Sequence, residues 1–282
     1  MTAMPKACVI GHPVAHSRSP MIHNYWLKQL GLSGHYERAD VTEAQFPEFL
    51  RRLRENGYVG ANVTVPHKET AFRHVARRDA AADAIGAINT LWYEQDELIG
   101  GNTDAHGFIT HLAMTVPGWE RDARKAVVLG AGGAARAVIH ALRAAGMDIA
   151  LVNRTAERAQ ALAAHFGGPV TVHGFDALPR LLPAADLLVN TTSLGMAGNP
   201  PLAIDLDPLQ PDAIVYDIVY VPLETGLLQA AQARGHRVVE GLGVLLHQAV
   251  KGFAHWFGVT PEVTPELRKL IADDIIAKTG GR

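Results

Sequence analysis

From Lys125 to Gly241 the chain repeats one pattern: a short apolar run, a tight turn, then a helical stretch. AVVLG (126–130) leads into AARAVIHALRAAG, and DIALVNR (148–154) leads into ERAQALAAHFG. VTVHG, ADLLVNTT and AIVYDIV follow, before ETGLLQAAQARG and HRVVEG. Strands joined by helices through short connections must pair in parallel with right-handed crossovers, because each helix returns the chain to the same end of the sheet. This half of the sequence therefore reads as a doubly wound α/β unit.

The amino-terminal part carries a second alternation. KACVIG (6–11), HYERAD (35–40) and GANVTV (60–65) read as strands. PMIHNYWLKQLG, EAQFPEFLRRLREN and HKETAFRHVARR read as helices between and after them. DAAADAIGAIN (79–89) is expected to form a short helix, and NTLWYEQDELIGGN a hairpin about Gln95-Asp96. Past the second series, GVLLHQAVKGFAHWFGV (243–259) is apolar on most sides, which suits a buried helix. TPELRKLIADDIIAKT reads as a final helix with Thr264 as N-cap and Pro265 in its first position. MTVPGWERDARK (114–125) is the most linker-like segment, and a domain change is expected near it. At 282 residues the chain holds about two domains of ~150 residues.

Composition excludes several classes of function. Apolar residues at 48% and charged residues at 19% suit buried cores rather than disorder. A net charge of -2 offers no case for nucleic acid or a membrane surface. No apolar stretch approaches the ~20 residues of a membrane span, and MTAMPKACVIGHPVAHS lacks the pattern of a secretory signal. Cys8 is the single cysteine, which excludes an internal disulfide and points to a reducing cytoplasm. The fourteen histidines are scattered, and no metal site is expected.

GAGGAARAV, from Gly130 to Val138, stands directly between a strand and a helix. Its G-x-G-x-x-A spacing suits a phosphate-binding turn: Gly130 for the tight turn, Gly132 for close backbone approach, Ala135 for helix-to-strand packing. A pyrophosphate would sit on the helix N-terminus, where free N–H groups and the dipole favour anions. The next strand ends in Asn153, Arg154, Thr155 and Arg158, with no acid before Glu157. An NAD site would place a carboxylate there, whereas guanidinium groups and a hydroxyl suit a ribose 2′-phosphate. NADP is the cofactor expected; the same arginines also read as an ordinary solvated loop.

Polar residues gather at the ends of the amino-terminal strands. In HSRSP, Ser17 and Ser19 could both face one small ligand, although Ser19 before Pro20 also reads as a helix cap. In NVTVPHK, Thr64 sits near a strand end. Lys68 falls near a helix N-terminus, where the dipole disfavours a cation by about 0.3–1 kcal/mol. Asn89 in GAINT and Asn102, Thr103 and Asp104 in GNTD complete the set, with Asp104 also readable as a cap and Asn89 as closing a turn. Open α/β sheets bind ligands at such positions.

HSRSP, NVTVPHK, GAINT, GNTD, GAGGAARA, NRTAER, NTTSLGM and GLGVLLHQA, in this order and spacing, resemble the shikimate dehydrogenase family over essentially the whole chain. The resemblance implies an α/β substrate domain, residues 1–105 completed by C-terminal helices in 241–282. It also implies an inserted Rossmann domain, 106–240, that binds NADP. It implies a cytoplasmic, monomeric or homodimeric enzyme for the reversible NADPH-dependent reduction of 3-dehydroshikimate to shikimate. Lys68 and Asp104 would be the catalytic pair. Ser17 and Ser19 would take the substrate carboxylate, and Thr64, Asn89 and Gln248 the ring hydroxyls. Gly130, Ala131, Gly132, Gly133, Ala134, Asn153, Arg154, Thr155 and Arg158 would bind NADP. Thr191, Tyr220 and Gly241 would border the nicotinamide, with Tyr220 also reaching substrate. Val244 and His247 depart from the residues many relatives carry. A broader enzyme that also oxidises quinate is the alternative within the class. A non-catalytic NADP sensor on the same scaffold would lack Lys68 or Asp104, and both are present.

Overall fold

In the amino-terminal half, β1 (Lys6–Gly11) lies between β2 (His35–Asp40) and β3 (Tyr58–Val63), parallel to both. The structure, a computed structural model, describes residues 4–279, so the first three residues of MTAMPKACVIGHPVAHS lie outside the described residues. Ala7, Cys8, Val9 and Ile10 are buried on both faces of the sheet, as a continuous apolar run in a central parallel strand requires. The crossovers are α1 (Ser19–Gln29) and α2 (Phe46–Arg51). After α3 (Lys68–His74) come β4 (Arg77–Arg78), α4 (Ala80–Ile85) and the hairpin β5 (Thr90–Glu94) and β6 (Glu97–Gly101). The sheet runs β2-β1-β3-β5-β6-β4, with β5 antiparallel to both neighbours.

Several elements differ from the sequence reading. The stretch Glu43–Asn56 is regular helix only at α2; the turns that follow still bury Leu53. The helix expected through Arg78 stops at His74, because Arg77 and Arg78 pair in parallel with Ile99 and Gly100 at the sheet edge. Helix α4 is capped by Asp79, whose carboxylate accepts from Ala82 N, and ends at the left-handed Gly86, so Asn89 lies outside it. The hairpin turns at Gln95 as read, pinned by Arg54, which donates to Asp96 at 2.5 Å and to the Gln95 carbonyl.

The chain then runs through α5 (Asp104–Thr115) and α6 (Trp119–Asp122). The stretch expected to be linker-like therefore holds a short helix whose Trp119 is buried. Next come β7 (Lys125–Leu129), α7 (Gly133–Ala144), β8 (Asp148–Val152), α8 (Ala156–Phe166), β9 (Val170–His173) and α9 (Leu178–Leu181). They are followed by β10 (Leu187–Asn190), β11 (Ile214–Asp217), α10 (Gly226–Ala233) and β12 (Arg237–Val239). All six strands pair in parallel in the order β12-β11-β10-β7-β8-β9. That is the doubly wound dinucleotide-binding order, with its reversal between β7 and β10. One face packs Val127, Leu129, Leu188 and Val215 against Leu178, Leu182, Leu227 and Leu228.

Two helices close the chain, α11 (Leu242–Phe257) and α12 (Pro265–Thr279), the latter capped by Thr264, which accepts from Leu267 N. The molecule divides into two compact units. One runs to Asp104 and resumes over Leu246–Ile271; the other takes Ala105–Leu245 and resumes at Ala272. In the first unit, one sheet face packs Cys8, Ile10, Ala61, Val63 and Leu91 against Phe46, Leu50 and Leu53. The other face sets Ala7, Val9, Tyr36 and Trp92 against Trp256. Trp256 donates its indole N–H to the Leu91 carbonyl at 2.8 Å. Gly60 permits this approach, since a Cβ there would lie 2.1 Å from the indole nitrogen.

Candidate active site

Strand β3 ends at Val63, and the chain turns through the cis Val65-Pro66 peptide into α3. Thr64 therefore lies just past the strand rather than inside it, its N–H bonded to the Ile10 carbonyl. His67 locks the turn. Its buried ring stacks on Phe46 at 4.3 Å, and its Nε2–H donates to the Val41 carbonyl at 2.6 Å. Lys68 is the first residue of α3, and its carbonyl accepts from Ile88 N.

The cation placed against the helix dipole finds its partner at another helix head. Lys68 Nζ donates to Asp104 Oδ2 at 2.5 Å, with the two side chains 22% and 18% exposed. Asp104 is not the cap of α5 but its first residue; Asn102 Oδ1 accepts its N–H. A carboxylate there sits at the favourable positive end of the dipole, so one helix start offsets the cost incurred at the other.

The other Asp104 oxygen is held by Asn89, whose Nδ2 donates to Oδ1 at 2.7 Å. Asn89 closes no turn; it is 2% exposed in a buried polar cluster with Thr103 and Gln248. The structure thus brings Lys68, Asn89, Asp104 and Gln248 together, four residues drawn from separate segments. Ser17 and Ser19 form their own pair, Oγ to Oγ at 3.2 Å, and Arg38 donates to the Ser17 carbonyl. Ser19 is not the helix cap: α1 starts at Ser19 itself, after Arg18, with no side-chain cap. Among the described residues, no group of three or more acids, histidines or cysteines could hold a metal ion. No helix among them is long and apolar enough to cross a membrane.

Three network residues escaped the sequence reading: Tyr36, Asn62 and Thr90. Tyr36 OH donates to Asn62 Oδ1 at 2.6 Å, and Asn62 Nδ2 donates to the Asn89 carbonyl and to Thr90 Oγ1. The available signal was Asn62 itself, an amide inside an otherwise apolar strand; buried amides are kept for their hydrogen bonds.

In the second unit, Gly130 has φ +101, and a Cβ there would lie 2.9 Å from Thr191 Oγ1. Gly132 caps α7, and neither Gly132 nor Gly133 would bring a Cβ near any neighbour. The space before the helix N-terminus is open to a ligand, while Ala135 is buried behind it. Arg154, Thr155 and Arg158 are exposed at the start of α8, and Asn153 Nδ2 braces the Thr155 carbonyl at 2.8 Å. An open glycine turn, a twelve-residue helix behind it and cations beside the next strand fit a phosphorylated dinucleotide.

Thr191 lies at the sheet reversal and donates to the Leu129 carbonyl at 2.6 Å. The loop after β10 is held from beneath by Asp217, which accepts from Asn190, Val219 N and Thr225. Burial pushes the Asp217 carboxyl up, against these three donors. Tyr220 follows on the loop past β11. Gly241 is a glycine because a Cβ would lie 2.2 Å from the Ile218 carbonyl oxygen.

A doubly wound unit of this order with this glycine turn, in a chain whose other unit carries a lysine–carboxylate pair, defines a dinucleotide-dependent oxidoreductase. A family model described as "Shikimate dehydrogenase substrate binding domain" matches residues 9–91, and one described as "Shikimate / quinate 5-dehydrogenase" matches residues 112–196. The chain is 55% identical over 276 residues to the shikimate dehydrogenase (NADP(+)) of Azorhizobium caulinodans, covering 98% of each. It is similar to the crystal structure of Thermus thermophilus shikimate 5-dehydrogenase in complex with NADP(H) and shikimate. There the TM-score is 0.85 and the identity 37%, over 96% of this chain and 100% of that one. It is also similar to Corynebacterium glutamicum quinate dehydrogenase in complex with NAD, with TM-score 0.88 and 29% identity over 96% and 99%. The chain belongs to the shikimate dehydrogenase family.

Proposed function

We propose that the chain catalyses the reversible, NADPH-dependent reduction of 3-dehydroshikimate to shikimate, a step of aromatic amino-acid biosynthesis. The observation that carries the reading is the Lys68–Asp104 pair, held at two helix heads and tied through Asn89 to Gln248. The unit built from residues up to Asp104 and from Leu246–Ile271 takes the substrate, and the doubly wound unit takes NADP. Ser17 and Ser19 bind the substrate carboxylate, Thr64, Asn89 and Gln248 the ring hydroxyls, and Tyr220 is a further substrate-binding residue. Gly130, Ala131, Gly132, Gly133 and Ala134 hold the pyrophosphate against the N-terminus of α7. Asn153, Arg154, Thr155 and Arg158 hold the 2′-phosphate. Thr191 and Gly241 border the nicotinamide.

When bound, NADPH supplies the hydride that reduces the ring ketone. The protein manages the proton. Lys68 Nζ gives a proton to the ketone oxygen as the carbon is reduced, and is left as a neutral amine beside the Asp104 carboxylate. In the reverse direction the amine takes the proton of the alcohol. Asp104 orients Nζ. Every residue assigned here comes from one chain, so a monomer or a homodimer serves equally, and we place the activity in the cytoplasm.

The test is spectrophotometric: reduction of NADP⁺ and of NAD⁺ is followed with shikimate and with quinate. NADP⁺ with shikimate should give the highest kcat/KM of the four pairs. Preference for quinate or for NAD⁺, or no turnover with shikimate, overturns the reading.

A further inference from the structure

The buried hydrogen bonds beneath Asp104 have a determined direction, because backbone groups with only one role anchor them. The Asn89 carbonyl can only accept, so the Asn62 amide must present its Nδ2 there, at 3.2 Å. The same Nδ2 then donates to Thr90 Oγ1 at 3.3 Å, while Asn62 Oδ1 takes the Tyr36 hydroxyl proton at 2.6 Å. With its lone pair engaged, Thr90 turns its own proton to Asn89 Oδ1 at 2.8 Å. The Thr103 backbone N–H, which can only donate, reaches the same oxygen at 2.8 Å. Asn89 Oδ1 thus faces inward, and Nδ2 is left to face Asp104 Oδ1. One continuous run of bonds, Tyr36 to Asn62, Asn62 to Thr90, Thr90 to Asn89 and Asn89 to Asp104, donates toward the Asp104 carboxylate. Bonds aligned in this way polarise one another. Tyr36, Asn62, Asn89 and Thr90 are all at most 5% exposed, so no solvent competes for the polarity.

We infer that Thr90, braced by Asn62, is a positioning residue for the catalytic pair: together with the Thr103 N–H and hydroxyl, its hydroxyl holds Asn89 Oδ1 inward and so keeps Nδ2 toward Asp104 and the substrate. Without that hydroxyl, one of the donors holding Asn89 Oδ1 inward is lost. The amide then samples the flipped orientation, in which its oxygen opposes a carboxylate. The inference rests on the reading of Lys68 and Asp104 given above.

The experiment compares wild type, Thr90→Val, Thr90→Ser and Lys68→Ala with shikimate and NADP⁺, alongside the thermal midpoint of each. Valine matches threonine in shape and lacks only the hydroxyl. Thr90→Val should lower kcat about ten-fold with the KM for NADP⁺ unchanged, since no cofactor residue lies in this cluster; one tenfold step is the weight of a typical buried hydrogen bond. Thr90→Ser should restore kcat to within about two-fold, because it regains the bond. Wild-type kcat in Thr90→Val overturns the inference. So does equal loss in Thr90→Val and Thr90→Ser, which would mark a packing role, or a parallel rise in the KM for NADP⁺. If Thr90→Val does not fold, Thr90→Ala carries the same expectation and is overturned by the same result. An inactive wild type would instead bring down the functional reading itself, and an active one with inactive Lys68→Ala and unaffected Thr90→Val would bring down this inference alone.

Discussion

His23 is the group whose removal should most change how the protein responds to acid. It sits on α1 with no exposed surface, its ring stacked on Tyr36 at 4.1 Å and set among Trp26, Phe253 and Trp256. Neither ring nitrogen has a hydrogen-bond partner among the described residues. Burial lowers its pKa from 6.5 to about 3, opposed by the nearby Asn62 side chain. The unfolded chain therefore takes up a proton near pH 6.5, where the folded chain refuses it. Stability is fully present above that value and is lost as pH falls toward 3. At 1.36 kcal/mol per pH unit, the loss from this group comes to about 2 kcal/mol between pH 7 and pH 5, and about 5 kcal/mol once both states are protonated. His23→Phe keeps an aromatic ring in the stack and removes the titration. Urea unfolding followed by tryptophan fluorescence at pH 7 and pH 5 measures the difference; Trp26, Trp92 and Trp256, three of the four tryptophans, lie in this unit. Wild type should lose about 2 kcal/mol more than His23→Phe over that interval. Equal losses in the two proteins would refute the reasoning, because they would mean that His23 titrates alike folded and unfolded.

Lys68→Ala should lower kcat by about 10²–10⁴, the usual weight of a general acid, with a much smaller change in the KM for shikimate; steady-state kinetics check it, and a near-wild-type kcat would leave the lysine a binding role only. Arg154→Ala should raise the KM for NADPH about ten-fold while leaving that for NADH nearly unchanged, since only NADPH carries the 2′-phosphate. Equal effects on the two cofactors would remove Arg154 from the phosphate clamp.

The parts of the fold legible in the sequence are those decided within one element and its turn. The run AVVLG, the following glycines and Ala135 specify strand, turn and helix locally, and β7, Gly130 and α7 follow that reading. The hairpin about Gln95 was legible for the same reason. Elements that depend on distant partners were not. Arg77 and Arg78 become a strand only because β6 offers an open edge at Ile99 and Gly100, so the helical pattern through Arg78 misled. Ser19 reads as a cap by residue type, yet α1 begins one residue early, with the Ser19 hydroxyl beside that of Ser17. In the candidate site, Lys68 stood out because a cation at a helix start needs a reason. Asn62 and Thr90 did not, because their meaning lies in bonds to Tyr36 and Asn89, and Tyr36 is 26 positions from Asn62. Gln248 was found only through family resemblance; its contacts to Asn89 and Thr103 span 159 and 145 positions.

The seating of Trp256 over Gly60 also sets an order of events during synthesis. The sheet strands of the first unit have all been synthesised once Gly101 is made, yet the face bearing Ala7, Val9 and Trp92 waits for a helix about 150 residues further on. At the usual ~5–20 residues per second, that apolar face stays uncovered for about 8–30 s of translation, while all six strands of the doubly wound sheet are made. The nascent chain thus holds every strand of the doubly wound sheet before the first sheet is covered, and the first strands to be made are among the last to be sealed.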